Sequence, residues 1–178
     1  MALERLAERL RVRFSRSSLG PWEEARAELG GTELRLVEPL TYMNRVGPAA
    51  VALLAGLDLA PASLIAIYDD LDIPFGSLRL RKQGGAAGHR GMLSLIESLG
   101  SERFPRLRLG LGGIPFTGDP ADFVLEEFAR EERPIVGDVI ERAADALEVV
   151  AEKGFETAMN RFNGAGAAGA GGDSGDAF

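Results

Sequence analysis

Between Leu64 and Gly91, the stretch LIAIYDDLDIPFGSLRLRKQGGAAGHRG brings together three aspartates, three arginines and the chain's single histidine. The apolar run Leu64 to Ile67 reads as a buried strand that stops at Asp69, Asp70 and Asp72. Carboxylates at the C-terminal end of a strand lie where open α/β sheets place their ligands. They could chelate magnesium. Their spacing matches no defined ligand loop, however, and a strand-end turn before Pro74 accounts for Asp72 equally well. Arg79 and Arg81 alternate with Leu78 and Leu80, which puts both guanidinium groups on one face of a second strand. The loop Gly84 to Gly91 holds His89 and Arg90 and can offer backbone N–H groups to an anion at the start of the next helix. It lacks the Gly-Lys-Ser/Thr ending of a nucleotide-binding loop, so ATP and GTP are poor candidates. Upstream, Asn44 either caps the helix that follows it or keeps its amide for a ligand.

These groups need elements to hold them. Leu3, Leu6, Ala7 and Leu10 share a helical face, and that helix is already under way at residue 2 with no capping side chain before it. Trp22 to Leu29 and Thr32 to Val37 read as strands joined by Gly30-Gly31, a pair suited to a tight hairpin because glycine tolerates positive φ. Val46, Ala50, Leu53, Leu54 and Leu57 mark an amphipathic helix. Pro74-Phe75-Gly76 is a turn, Met92 to Leu99 a short helix ended by Gly100, and Arg106 to Leu111 another alternating strand. Ala121 to Phe128 and Arg133 to Lys153 read as helices. In the second, Ile135, Val139, Ile140, Ala143, Ala146, Leu147 and Val150 point inward. Gly154 interrupts, Thr157 to Phe162 adds a last turn or two, and residues 164–178 are too poor in apolar side chains to offset the entropy of ordering.

At 178 residues the chain suits one domain, here 1–163, followed by a disordered tail. With no cysteine it can have neither a disulfide framework nor a thiolate metal site, and one histidine excludes histidine-rich sites. No apolar run approaches the roughly 18 residues of a membrane span, and no signal-peptide core opens the chain. A cytoplasmic protein is expected. The net charge of −7 is unevenly spread. From Arg79 to Arg108, the cations Arg79, Arg81, Lys82, Arg90, Arg103, Arg106 and Arg108 face only Glu97 and Glu102, a window net positive by five, whereas acid dominates from Asp119 to Glu156. Such segregation gives either a basic working face for phosphates or simply solvated faces of ordinary elements.

Four blocks in order resemble bacterial-type peptidyl-tRNA hydrolases: Tyr42-Met43-Asn44, the segment Tyr68 to Gly76 (YDDLDIPFG), the Gly84 to Gly91 loop, and Phe104 to Gly112 (FPRLRLGLG). The resemblance spans about Leu3 to Asn163 and includes Phe123-Val124-Leu125 and Asn160-Arg161. It implies an α/β fold, a single domain in which helices flank a twisted mixed β-sheet. It also implies an enzyme without cofactor or metal that hydrolyses the ester between a stalled peptide and its tRNA, acting as a monomer with peptidyl-tRNA as its partner. In such enzymes a histidine is the base and an aspartate orients it. That aspartate corresponds to Asp69. Asn44 corresponds to a substrate-orienting asparagine, Tyr42 to the aromatic beside it, and His89 to a second, non-base histidine. Arg79, Arg81 and Arg108 correspond to basic positions facing tRNA.

Two departures stand out. The family usually opens with a strand, a Gly-Asn-Pro-Gly turn and Thr-Arg-His-Asn, which supply the base, and this sequence is expected to lack that opening and to be inactive as it stands. Arg90 also replaces the asparagine more usual after the loop histidine. It remains a substrate-binding candidate with a charged side chain in place of an amide. Two other readings compete: a non-catalytic family member that binds RNA or a protein partner, and an unrelated metal-dependent enzyme using the three aspartates.

Overall fold

A computed structural model describes residues 1–115, 117–119 and 123–164. Helix α1 (Ala2–Arg9) is followed by strands β1 (Ser15–Arg16), β2 (Trp22–Leu29) and β3 (Thr32–Pro39). Helix α2 (Val46–Gly56) then leads to β4 (Ala66–Pro74) and β5 (Leu78–Arg81). The chain continues through α3 (Arg90–Leu99), β6 (Arg106–Gly112), α4 (Arg133–Lys153) and α5 (Phe155–Phe162). The mixed α/β character matches the expectation, but the described strands form two sheets instead of one. The first is antiparallel, ordered β1-β2-β3; the second is mixed, ordered β4-β6-β5, with β4 parallel and β5 antiparallel to β6.

The hairpin β2–β3 closes through Gly30 and Gly31 at φ of 60° and 78°, the positive values a tight two-residue turn requires. Strand β3 runs two residues beyond the expected Val37, and β1, too short for a periodic signal, was not anticipated.

Helices on both faces hold the sheets together. On one face a single core joins Leu6 of α1, Ala25 and Leu36 of the first sheet, Leu78, Leu80 and Leu107 of the second, and Val139, Ala143 and Leu147 of α4. On the other, α2 packs Ala49 and Leu53 on Trp22 while its Ala50 joins Ala66, Met92, Leu95 and Phe104. The contact between α2 and α3 is close because Gly47 has no side chain: a Cβ there would stand 2.0 Å from the Ser94 carbonyl oxygen. The α1–α4 contact is fixed by charge. Arg9 donates to Asp145 at 2.7 Å and to Glu148 at 3.3 Å, and its guanidinium pKa is raised first by Asp145 and then by Glu141.

Helix α4 has the expected limits, but Ile135 is 43% exposed because it sits in the first turn, over Gly76, instead of over the sheet. Helix α5 starts two residues before the expected Thr157. Of the expected helix 121–128, residues 121 and 122 lie outside the described residues, and the described remainder is mostly turn and coil. The expected tail lies outside them after Gly164. Among the described residues no helix is long and apolar enough to cross a membrane.

Candidate active site

Strand β4 does not stop at the acidic cluster; it runs through it to Pro74. Two glycines on β6 make this possible. A Cβ at Gly110 would lie 2.1 Å from the Pro74 carbonyl oxygen, and one at Gly112 would lie 2.2 Å from that of Leu71, so the β4 backbone folds onto β6 where only hydrogens project. The register shifts between Asp70 and Pro74 as a result. Asp70, 8% exposed, accepts from Arg108 Nε at 2.6 Å and, through Oδ1, from the Asp72 backbone N–H at 2.9 Å. This pairing stands where the sequence suggested a strand-end turn. The pair raises the Arg108 pKa, through its hydrogen bond to Asp70 above all. Asp72 is exposed, and among the described residues no three acidic or histidine side chains gather as a metal site would require.

Alternation along β4 sends neighbouring side chains to opposite faces. Ile67 joins the core beneath α4, and Asp69 and Ile67 both line a cavity of about 310 Å³. Met1 and Leu3 of α1, Glu38 of β3, Leu109 of β6 and Val136 of α4 contribute to the same cavity. Burial pushes the Glu38 carboxyl up, with Glu4 adding to the effect. Tyr68 goes the other way, toward α3, where its ring lies 4.7 Å from that of His89 at an interplanar angle of 48°. Burial raises the Tyr68 hydroxyl pKa against the opposing pull of Arg108 and Arg106.

His89 is the N-cap of α3. The loop reaches it through Ala87 and Gly88 at φ of 47° and 79°, and a bond from His89 N–H to the Ala86 carbonyl closes the turn at 2.9 Å. Its Nδ1 accepts the Met92 backbone N–H at 3.1 Å. That bond engages the Nδ1 lone pair and assigns the proton of the neutral ring to Nε2. Nε2 is itself buried without a partner among the described residues. Burial lowers the His89 pKa, opposed first by Asp69 and then by Asp70. The imidazole is therefore a neutral donor in search of an acceptor. It makes no hydrogen bond to Asp69, so the two do not form a dyad.

Asn44 is not a cap. Met43–Arg45 form a single 3₁₀ turn, and Arg45 occupies the N-cap position of α2 with no cap bond from its own side chain. The Asn44 amide is left exposed, next to Tyr42, which is 82% exposed. This turn leans on the start of α3: a Cβ at Gly91 would sit 2.8 Å from Met43 Cγ, and Gly47 N–H donates to Ser94 Oγ at 3.0 Å. Arg90, the first residue of α3, is exposed.

The arginine face is wider than the sequence indicated. Register places Arg79 opposite Arg108 and Arg81 opposite Arg106, so four guanidinium groups leave one face of the second sheet. Arg79 donates to the Asn163 carbonyl at 2.6 Å, and the Asn163 side chain closes both backbone groups of Leu80 on the free edge of β5. Arg79 and Arg81 are exposed, whereas Arg108 is 19% exposed and ion-paired and Arg106 is 2% exposed. Arg108 is thus turned inward, not presented freely as expected. Arg106, important locally, was legible only as one more cation in the window.

A family model described as peptidyl-tRNA hydrolase matches residues 1–169. Because the match starts at residue 1, it does not bear out the expected loss of an opening segment. The peptidyl-tRNA hydrolase of Chloroflexus aggregans is 45% identical over 163 residues, covering 91% of this chain and 86% of that one. That of a Synechococcus species is 46% identical over 165 residues, covering 92% and 72%. The crystal structure of peptidyl-tRNA hydrolase from Acinetobacter baumannii superposes with a TM-score of 0.82 at 27% identity, over 91% of this chain and 82% of that one.

Proposed function

The chain belongs to the peptidyl-tRNA hydrolase family, and on that premise we propose how its residues divide the hydrolysis of the ester between a peptide and tRNA. One observation carries the assignment. The Tyr68 ring on β4 lies 4.7 Å from that of His89, and the Met43–Arg45 turn packs on the same start of α3, while the next β4 residue, Asp69, faces the cavity on the opposite side of the strand.

Ester hydrolysis needs a base to take a proton from water, a group to orient that base, and donors to hold the substrate. Asp69 is the orienting carboxylate at the cavity wall. Asn44 and Tyr42, exposed on their turn, hold the substrate beside the α3 start. His89 Nε2–H gives it a hydrogen bond, and Arg90 adds a cationic donor at the same helix end. Arg79 and Arg81 meet tRNA phosphates, with Arg108 set behind them by Asp70. In this reading the chain acts as a monomer in the cytoplasm.

His89 cannot both accept from Met92 and take the proton from water at Nδ1, and its Nε2 already carries one. His89 is therefore expected to bind substrate and not to act as the base, so His89→Gln should weaken peptidyl-tRNA binding while leaving the single-turnover rate at saturating substrate within about tenfold of wild type. A general base typically contributes about 10²- to 10⁴-fold, which sets the scale of the loss that H89Q would show if His89 were the base. Single-turnover assays on the wild-type chain, D69N and H89Q check this. Rapid hydrolysis lost in H89Q would identify His89 as the base and overturn the assignment, whereas loss of substrate binding in N44A at an unchanged melting temperature supports it.

A further inference from the structure

Arg106 occupies the least favourable place for a charge on the arginine face. It is 2% exposed, it opposes Arg81 in register, and no carboxylate pairs with it among the described residues. Burying an unpaired guanidinium next to a like charge costs stability that an apolar side chain of similar size would not. What the guanidinium does there is specific. One Nη donates to the Gly85 carbonyl at 3.0 Å, the other to the Glu102 carbonyl at 3.2 Å, and the plane rests 4.8 Å from the Phe104 ring centre. Glu102 also accepts the Gly84 N–H at 3.3 Å, so both glycines at the start of the loop are tied to the turn that precedes β6. Space there suits the fork: a Cβ on Gly84 would lie 3.8 Å from Nη1.

From this geometry we infer that Arg106 is the positioning residue of the glycine loop, fixing Gly85 so that the loop delivers His89 and Arg90 in register with Tyr68 and the Asn44 turn. The loop lies between two anchors. At one end His89 caps α3, and at the other Arg106 bonds Gly85; between them Ala87 and Gly88 turn through positive φ, and Ala86 to Gly88 have no side-chain bond of their own among the described residues. A planar five-donor fork reaches two carbonyls at once, which a lysine ammonium on a flexible stem does not reproduce. The inference rests on the substrate-binding reading of this loop.

Because His89 is the only histidine, its ¹⁵N resonances report the loop without ambiguity. In the full chain, Arg106→Met is expected to replace the fixed Nε2–H tautomer by an averaged one and to speed exchange of the Met92 amide by about tenfold or more, with exchange in α4 unchanged. A purely structural role would instead lower protection everywhere and leave the tautomer signature alone. Arg106→Lys, which keeps the charge but not the fork, is expected to show the same local change, and it stands in if the methionine variant does not fold. Added guanidinium at millimolar concentration should restore the tautomer in the methionine variant. A His89 spectrum and Met92 exchange rate unchanged in a folded variant would overturn the inference. If the loop loosens as described but H89Q and R90A bind peptidyl-tRNA as wild type does, the substrate-binding reading fails and the clamp stands.

Discussion

A histidine that caps a helix with one nitrogen and hides the other is poorly placed to gain a proton. Burial lowers the His89 pKa below its ordinary value near 6.5, with Asp69 and Asp70 only partly opposing the shift. In the unfolded chain the ring titrates at its ordinary value, so between the folded and unfolded values the unfolded state binds more protons. Stability therefore falls as pH drops through that window and levels off below the folded pKa. His89→Gln should remove this part of the pH dependence, because glutamine does not titrate. Denaturant titrations between about pH 5 and 7, within the range where an imidazole changes charge, compare the two chains. Parallel curves for wild type and variant would show that His89 is not buried as described. Asp70 and Arg108 pose the complementary case: they form a largely buried ion pair, so removing either partner strands the other, at about 3–5 kcal/mol.

The packing of the Met43–Arg45 turn on α3 depends on two helices approaching where glycine permits it. Gly47→Ala would push a methyl onto the Ser94 carbonyl, a backbone atom that cannot swing aside. Such overpacking typically costs about 1–3 kcal/mol. The displacement falls in the middle of α3 and shifts the helix that carries His89 and Arg90, so peptidyl-tRNA binding should weaken along with stability. Equilibrium unfolding and binding measured on the same preparation test this, and an alanine variant with wild-type midpoint and affinity would refute it.

This helix pair shows where reading the sequence succeeds and where it stops. The period-two alternation of Leu78 to Arg81 and Arg106 to Leu111 located both strands, and the heptad-like spacing along α4 gave its full length, because these patterns are local. The extension of β4 through three aspartates was not legible. It depends on Arg108 neutralising Asp70 from another strand, and on Gly110 and Gly112 lying beneath it. Asn44 looked like a cap because capping propensity is local, whereas the 3₁₀ turn that moves the cap to Arg45 is set by packing on α3. Register alone reveals that Arg79 and Arg81 continue into Arg108 and Arg106.

At the scale of the whole molecule, a chain of net charge −7 is asked to hold a polyanion. It can do so because the charge is divided by face: acidic side chains of α4 such as Glu141 and Asp145 pair with Arg9 of α1, while the second sheet turns its arginines to the α3 side. Only part of that arginine face is available for phosphate. Arg106 is committed to two carbonyls and Arg108 to Asp70, and Lys82 pairs with Glu156. Arg79 bonds a neutral carbonyl and keeps its charge, and Arg81 is exposed with no ion pair among the described residues. The salt dependence of tRNA binding should therefore be carried by Arg79 and Arg81. Each phosphate no longer neutralised lowers the slope of log affinity against log salt by about one, so R79E/R81E should flatten it by about two and weaken binding to all tRNAs alike. Arg108→Glu should act differently, lowering the melting temperature by setting two carboxylates against each other before it changes any slope. Titrations between about 50 and 200 mM salt, with melting curves as control, separate the two effects. A full slope in the double variant, or a stable Arg108→Glu chain with a reduced slope, would place the phosphate contacts on the inner pair instead of the outer one.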